Sequence, residues 1–215
     1  QDILHRFRSL QRHYRYSDIM LTDASGEVKL SLTGRTDPLH AESLGALRAS
    51  LTSGRPVLTD LHVGPAGLGP HTGTVAPLFV GEGASRRPAG AVVFVSDAEM
   101  FLYPLVQSWP TMSQTAETLL VRRDGDSVLF LNELRHQGGA ALKLRIPMAQ
   151  WDLPAVMAVK GQEGVVEGRD YRGKAVLAVL KAVPNSPWFM VSKIDEDEAL
   201  SAWHRESFVL MVGLL

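Results

Sequence analysis

The chain predicts an α/β (α+β) fold: a long N-terminal helix followed by two tandem modules, each a mainly antiparallel sheet flanked by helices. Three observations carry that expectation. Short period-two strands joined by tight turns outnumber the helical stretches, as in antiparallel sheets. The order hairpin, helix, strands, acid-capped helix runs through the chain twice. The two passes lie about a hundred residues apart, too far for a solenoid repeat and suited to two domain-sized units.

At the front, Ile3, Leu4, Phe7, Leu10 and Tyr14 share one helical stripe, with arginines on the rest of the surface. Ser17–Thr22 and Glu27–Leu32 read as strands around the turn 23–26, where Gly26 tolerates the positive φ of a short hairpin. Leu44, Leu47 and Leu51 mark a helix over 41–51, closed by Ser53-Gly54. Strands follow over 57–63, 72–80 and 90–96, separated by Gly/Pro-rich loops at 64–70 and 81–88. Asp97-Ala98-Glu99 opens a helix with an acidic first turn. After Trp109-Pro110 the pattern restarts. It gives strands at 118–123 and 127–131, a helix over 152–160, and strands at 164–167, 174–183 and 188–193. A second acidic helix start stands at 195–198. The resulting organisation is 1–16 (helix), 17–110 (first module), 111–200 (second module) and 201–215 (exit helix). The terminal apolar run Phe208–Leu215 reads as the opening of a transmembrane segment, or as a C-terminal core helix.

Composition narrows the function. With 45% hydrophobic and 21% charged residues the chain is that of an ordinary globular protein. A net charge of −1 without a basic stripe argues against nucleic acid as a partner. The absence of cysteine removes disulfides, thiolate catalysis and cysteine-bound zinc. No His-Glu-x-x-His, Gly-x-Ser-x-Gly or phosphate-loop pattern occurs, so no metal, cofactor or catalytic residue is expected.

Four stretches, 18–26, 90–97, 128–135 and 168–173, together with their order and duplication, resemble the double Cache family. These are the PAS-like extracytoplasmic sensor domains of bacterial transmembrane receptors, and the likeness is greatest to those of sensor histidine kinases. The resemblance implies a membrane-distal module that binds a small ligand and a membrane-proximal one that relays the signal. It further implies a periplasmic location, flanking transmembrane helices and a homodimer formed through the N-terminal helix. An acidic residue at the end of the last distal strand lines the family's pocket, and Asp97 holds that place. The amino-acid-binding members carry an Arg-x-Trp-Tyr signature where this chain reads 34–40 as Gly-Arg-Thr-Asp-Pro-Leu-His. A small organic acid is therefore the expected ligand.

A carboxylate needs charge-assisted donors in a half-buried pocket. Arg35, His40, His62, His71, Thr72, Thr74 and Asp97 are the candidates. Each has a plainer reading: His62 and His71 as surface loop residues, Arg35 as the tail of a hairpin, Asp97 as a helix N-cap. Arg169 and Tyr171 fall in a turn, and Trp151 and Trp188 read as core or capping aromatics. Rival functions are a ligand-free spacer or protein-partner sensor, the sensor of a chemoreceptor or diguanylate cyclase, and, last, a periplasmic hydrolase.

Overall fold

The computed structural model describes residues 2–64, 69–109, 112–184 and 186–201. The chain divides into two compact units, the first ending at Leu102 and the second beginning at Tyr103.

The first unit opens with helix α1, Asp2–Tyr14, whose stripe buries Phe7 and leaves Ile3 and Tyr14 more than half exposed. Strands β1 (Asp18–Asp23) and β2 (Val28–Ser31) form the expected hairpin, with Gly26 at φ 95°. Helix α2, Ala41–Ser53, ends at Gly54, whose N–H donates to the Ser50 carbonyl. Next come β3 (Val57–Leu58), β4 (His62–Val63), β5 (Pro70–Val80) and β6 (Arg87–Asp97). The sheet order is β2-β1-β6-β5-β3, with β4 also paired to β5. One face of this sheet meets α2 through Met20, Leu47, Val75, Ala91, Val93 and Val95. Burying each of the larger side chains among them contributes about 1.5–3 kcal/mol.

A single strand over 57–63 was the expectation, and the structure breaks it in two. At the break the Thr59 hydroxyl accepts the Gly73 N–H at 2.6 Å, taking the place of a backbone carbonyl. Leu58 is opposite Thr74, yet His62 is opposite His71, so the register steps by one residue across 59–61. Without that step Leu61 would face His71, and His62 would point to the other side of the sheet.

Strand β6 crosses β1 so closely that a Cβ on Gly90 would lie 1.9 Å from the Thr22 carbonyl oxygen. Gly90→Ala is expected to destabilise the first unit by about 2–4 kcal/mol, through backbone displacement. Urea unfolding followed by circular dichroism checks it; a change under 0.5 kcal/mol would mean that the crossing opens freely.

The second unit contains α3 (Tyr103–Gln107), β7 (Glu117–Asp124), β8 (Ser127–Phe130) and β9 (Arg145–Pro147). Helix α4 (Pro154–Val159) leads to β10 (Gly164–Arg169), β11 (Ala175–Ala182) and β12 (Trp188–Asp195). Its sheet order is β10-β11-β12-β7-β8-β9. In both sheets the last strand is inserted between the first and the penultimate one, the layout of tandem PAS-like modules. Strand β9 was not foreseen: three residues ending in proline carry no period-two signal. Trp188 is buried as expected, whereas Trp151 is 73% exposed and belongs to no core. Among the described residues no helix is long and apolar enough to cross a membrane, and Phe208–Leu215 lies outside them.

Candidate functional site

The step in register at Thr59 assembles a histidine cluster on the α2-facing side of the first sheet. His62 and His71 are cross-strand partners with ring centroids 4.3 Å apart, and His40 lies 6.2 Å from His62. His40 occupies the N-cap position of α2 and its carbonyl accepts the Leu44 N–H. These three rings line a small cavity with Arg35, Asp37, Ser43, Met20, Gly73, Val93 and Val95. Its volume is about 20 Å³, room for one water. Two atoms stand out: Nε2 of His40 and Nε2 of His62 are buried and have no hydrogen-bond partner among the described residues. An unsatisfied buried polar atom costs about 1–3 kcal/mol, and such groups in a folded protein call for an explanation.

Arg35 reaches this cavity because a buried carboxylate folds the chain back after β2. Asp18 is 3% exposed and accepts from the N–H groups of Ile19, Leu32 and Thr33 and from the hydroxyls of Ser31 and Thr33, at 2.7–3.3 Å. The Ser31 hydroxyl in turn accepts the Arg35 N–H at 3.1 Å. Asp18 was not singled out as a site residue from sequence, where it is one acid before an apolar strand.

The remaining candidates lie elsewhere. Residues 71, 73 and 75 of β5 are buried on the cavity side, so period two places Thr72 and Thr74 on the opposite face. There Thr72 donates to the Thr59 carbonyl, and Thr74 is opposite Phe94, whose ring contacts Tyr16. Asp97 is the register partner of His71, but its carboxylate accepts the N–H groups of Glu99 and Met100, as an N-cap does. It caps a π-helical turn, Ala98–Leu102, where an ordinary helix start was expected.

The surroundings of His71 act on its protonation. Burial is the largest influence, and with the neighbouring His62, His40 and Arg35 it outweighs the bond to the Gly69 carbonyl. The imidazole is held below its ordinary value.

The second unit fills the matching place from within. Val95 in β6 is opposite Gly73, two residues before Asp97; Lys193 in β12 is opposite Ala178, two residues before Asp195. Lys193 is 1% exposed, and its ammonium lies 2.8 Å from Asp170 and 3.0 Å from Glu117, both buried. Tyr171 donates to Glu117 at 3.0 Å, and Arg172 pairs with Asp170 and Asp195. Burial alone would raise the Asp170 carboxyl, but the bonds and charge of Lys193 and Arg172 prevail and hold it low. Burial, then the Glu117 charge, pushes the Tyr171 phenol up. A larger cleft of about 270 Å³ in this unit is lined by Gln107, Glu117, Thr118, Glu133 and Arg135. Its charged side chains already hold partners: Arg135 donates to the Ser113 and Ala116 carbonyls, and Glu133 accepts from the Ala140 N–H.

No protein-family model matches the chain, and neither does any curated protein sequence. Solved structures do. The extracellular domain of the candidate histidine kinase mmHK1S-Z3 superposes with a TM-score of 0.63 at 16% identity, over 95% of this chain and 82% of its own. The ligand-binding domain of Mlp24, solved with asparagine, gives 0.60 at 16% identity over 93% and 77%. That of the Pseudomonas aeruginosa PAO1 amino-acid chemoreceptor PctC, solved with GABA, gives 0.58 at 18% over 88% and 80%. At these identities the likeness is one of fold: the chain shares the fold of these extracellular and ligand-binding domains, as the double Cache resemblance of the sequence leads one to expect.

Proposed function

We propose that this chain is the extracytoplasmic sensing portion of a transmembrane receptor, with a sensor histidine kinase as the output. The first unit is the membrane-distal module and binds a small carboxylate metabolite; the second is the membrane-proximal one and relays the signal. One observation carries the reading: Arg35, His40, His62 and His71 converge on one cavity, and two of the histidines keep a buried ring nitrogen unpartnered. The double Cache fold supports a sensory role, since the similar structures are ligand-binding or extracellular domains of receptors. The function so assigned is recognition, with no catalysis in this chain. Exposed Ile3 and Tyr14 on α1 extend the stripe of buried Phe7, which suits a homodimer formed through that helix.

Ligand binding biases two arrangements of the distal sheet and its flanking helices, by as much as the ligand's affinity differs between them. A ligand-free spacer is the second reading, favoured by the 20 Å³ volume, which admits a metabolite only if the segment carrying Arg35 and His40 moves outward. Thermal unfolding against a panel of small carboxylates separates the two. A ligand at about a hundred times its Kd stabilises the fold by about 2.7 kcal/mol, a rise of several degrees. The sensor reading expects that rise from one carboxylate class, and its loss in Arg35→Ala. A flat response across the panel favours the spacer.

A further inference from the structure

We propose that the distal site takes up its anion together with protons, so that the receptor responds to a small carboxylate in proportion to acidity. This rests on the carboxylate reading above and adds to it the protonation state in which the ligand is held.

The argument starts from tautomers. Nδ1 of His62 lies 2.8 Å from the Asp60 carbonyl, and Nδ1 of His71 lies 3.0 Å from the Gly69 carbonyl. A carbonyl oxygen only accepts, so both Nδ1 atoms carry the hydrogen. In the neutral rings Nε2 is then a bare lone pair, which repels an anion. The Arg35 guanidinium supplies attraction, but the imidazoles that share its cavity oppose it until they are protonated. Protonation converts each Nε2 into a charged donor and gives the buried, unpartnered Nε2 of His62 something to bind.

The rings do not charge readily on their own. They are 4.3 Å apart and share a cavity with His40 and Arg35, and burial already disfavours the charged form of His71. The other charged groups around the pair are Asp37 from the segment before α2, Asp60 from the β3–β4 connection, Asp97 opposite His71, and Glu99, whose carboxylate borders Gly69. Asp97 is engaged in capping and Asp60 binds the Leu61 N–H. A carboxylate entering the cavity supplies the missing negative charge, and proton and anion then stabilise one another. The sign follows from linkage: each proton taken up with the anion raises the affinity by about tenfold per pH unit as pH falls through the histidine range, and binding is weakest above pH 8.

The test is isothermal titration calorimetry on the 215-residue chain with acetate, lactate, pyruvate and benzoate at pH 6.0 and 8.0, in two buffers of different ionisation enthalpy. These anions do not themselves titrate in that range. The expected result is tighter binding at pH 6.0 for at least one anion, with uptake of about one proton per anion. His62→Gln, whose amide donates without protonation, is expected to bind the anion with a flatter pH profile. Should that variant not fold, the proton count on the unaltered chain decides. Equal affinity at both pH values with no proton uptake would overturn this inference and leave the carboxylate sensor standing. Binding of no anion at either pH would overturn both. Stabilisation at pH 8.0 by zinc or nickel ions alone would assign the imidazoles to a metal and overturn both as well.

Discussion

Lys193→Met is expected to destabilise the second unit by about 3–5 kcal/mol, the loss typical of a buried ion cluster stripped of one partner. The substitution keeps the length and apolar stem of the side chain, so packing changes little. It leaves the Glu117 and Asp170 carboxylates, 6% and 2% exposed, without the ammonium that sits within 3.0 Å of both. Arg172 still faces Asp170, so Glu117 bears most of the damage. Adding Glu117→Gln to Lys193→Met is therefore expected to recover part of the loss, since an amide in place of the carboxylate removes the unpaired charge. Urea denaturation of both variants gives the values. A loss under 1 kcal/mol, or no recovery in the double variant, would mean that water enters and solvates the cluster. Acid acts by the same route. The Asp170 carboxyl is held below its unfolded value, so its contribution is complete above the normal carboxylate range and disappears as pH falls through the lowered value.

Asp18→Ala is expected to cost the first unit about 2–4 kcal/mol and to abolish the response to carboxylates. A single carboxylate serves five donors there, and hydrogen bonds to a charged group are worth about 1.5–3 kcal/mol each without being additive. Asp18 is not among the residues that line the cavity; in the proposed reading it is a positioning residue that fixes 31–35 and so the approach of Arg35. Asp18→Asn, which keeps the acceptor oxygen but loses the charge, is expected to retain most of the stability and to bind the anion more weakly. If Asp18→Ala loses stability but binds the anion as before, Arg35 reaches the cavity without it.

Much of the architecture is legible in the sequence because it depends on local signals. Period-two alternation with Gly26 marks the first hairpin, and Ser53-Gly54 marks the end of α2. The duplication shows through because Asp97 and Asp195 close equivalent strands. The site is less legible. Arg35, His40, His62 and His71 are spread over 37 positions, and what unites them is the displaced register at Thr59, where a hydroxyl stands in for a carbonyl. No propensity or periodicity reports such an exchange. Thr72 and Thr74 do share a face, as period two requires, but only the tertiary structure says which face meets α2. Lys193 is similar: a lysine inside an apolar strand looks like a solvent-facing residue until Glu117, 76 positions earlier, and Asp170 are brought against it.

The insertion of β6 and β12 into the middle of their sheets bears on how the protein is made. Each unit's central strand is its last, so on the ribosome neither sheet is complete until nearly all of that unit has emerged. Until residues 87–97 arrive, β1 and β5 each present an open edge; residues 188–195 do the same service for β7 and β11. The β5–β6 and β11–β12 pairs are local hairpins, but the β1–β6 and β7–β12 pairs span most of a module, so closure is slow and the waiting edges of β1 and β7 are exposed to wrong partners. A nascent chain arrested within β12 is thus a candidate client for a holdase, and export in an unfolded state would defer the closing step until the chain has crossed.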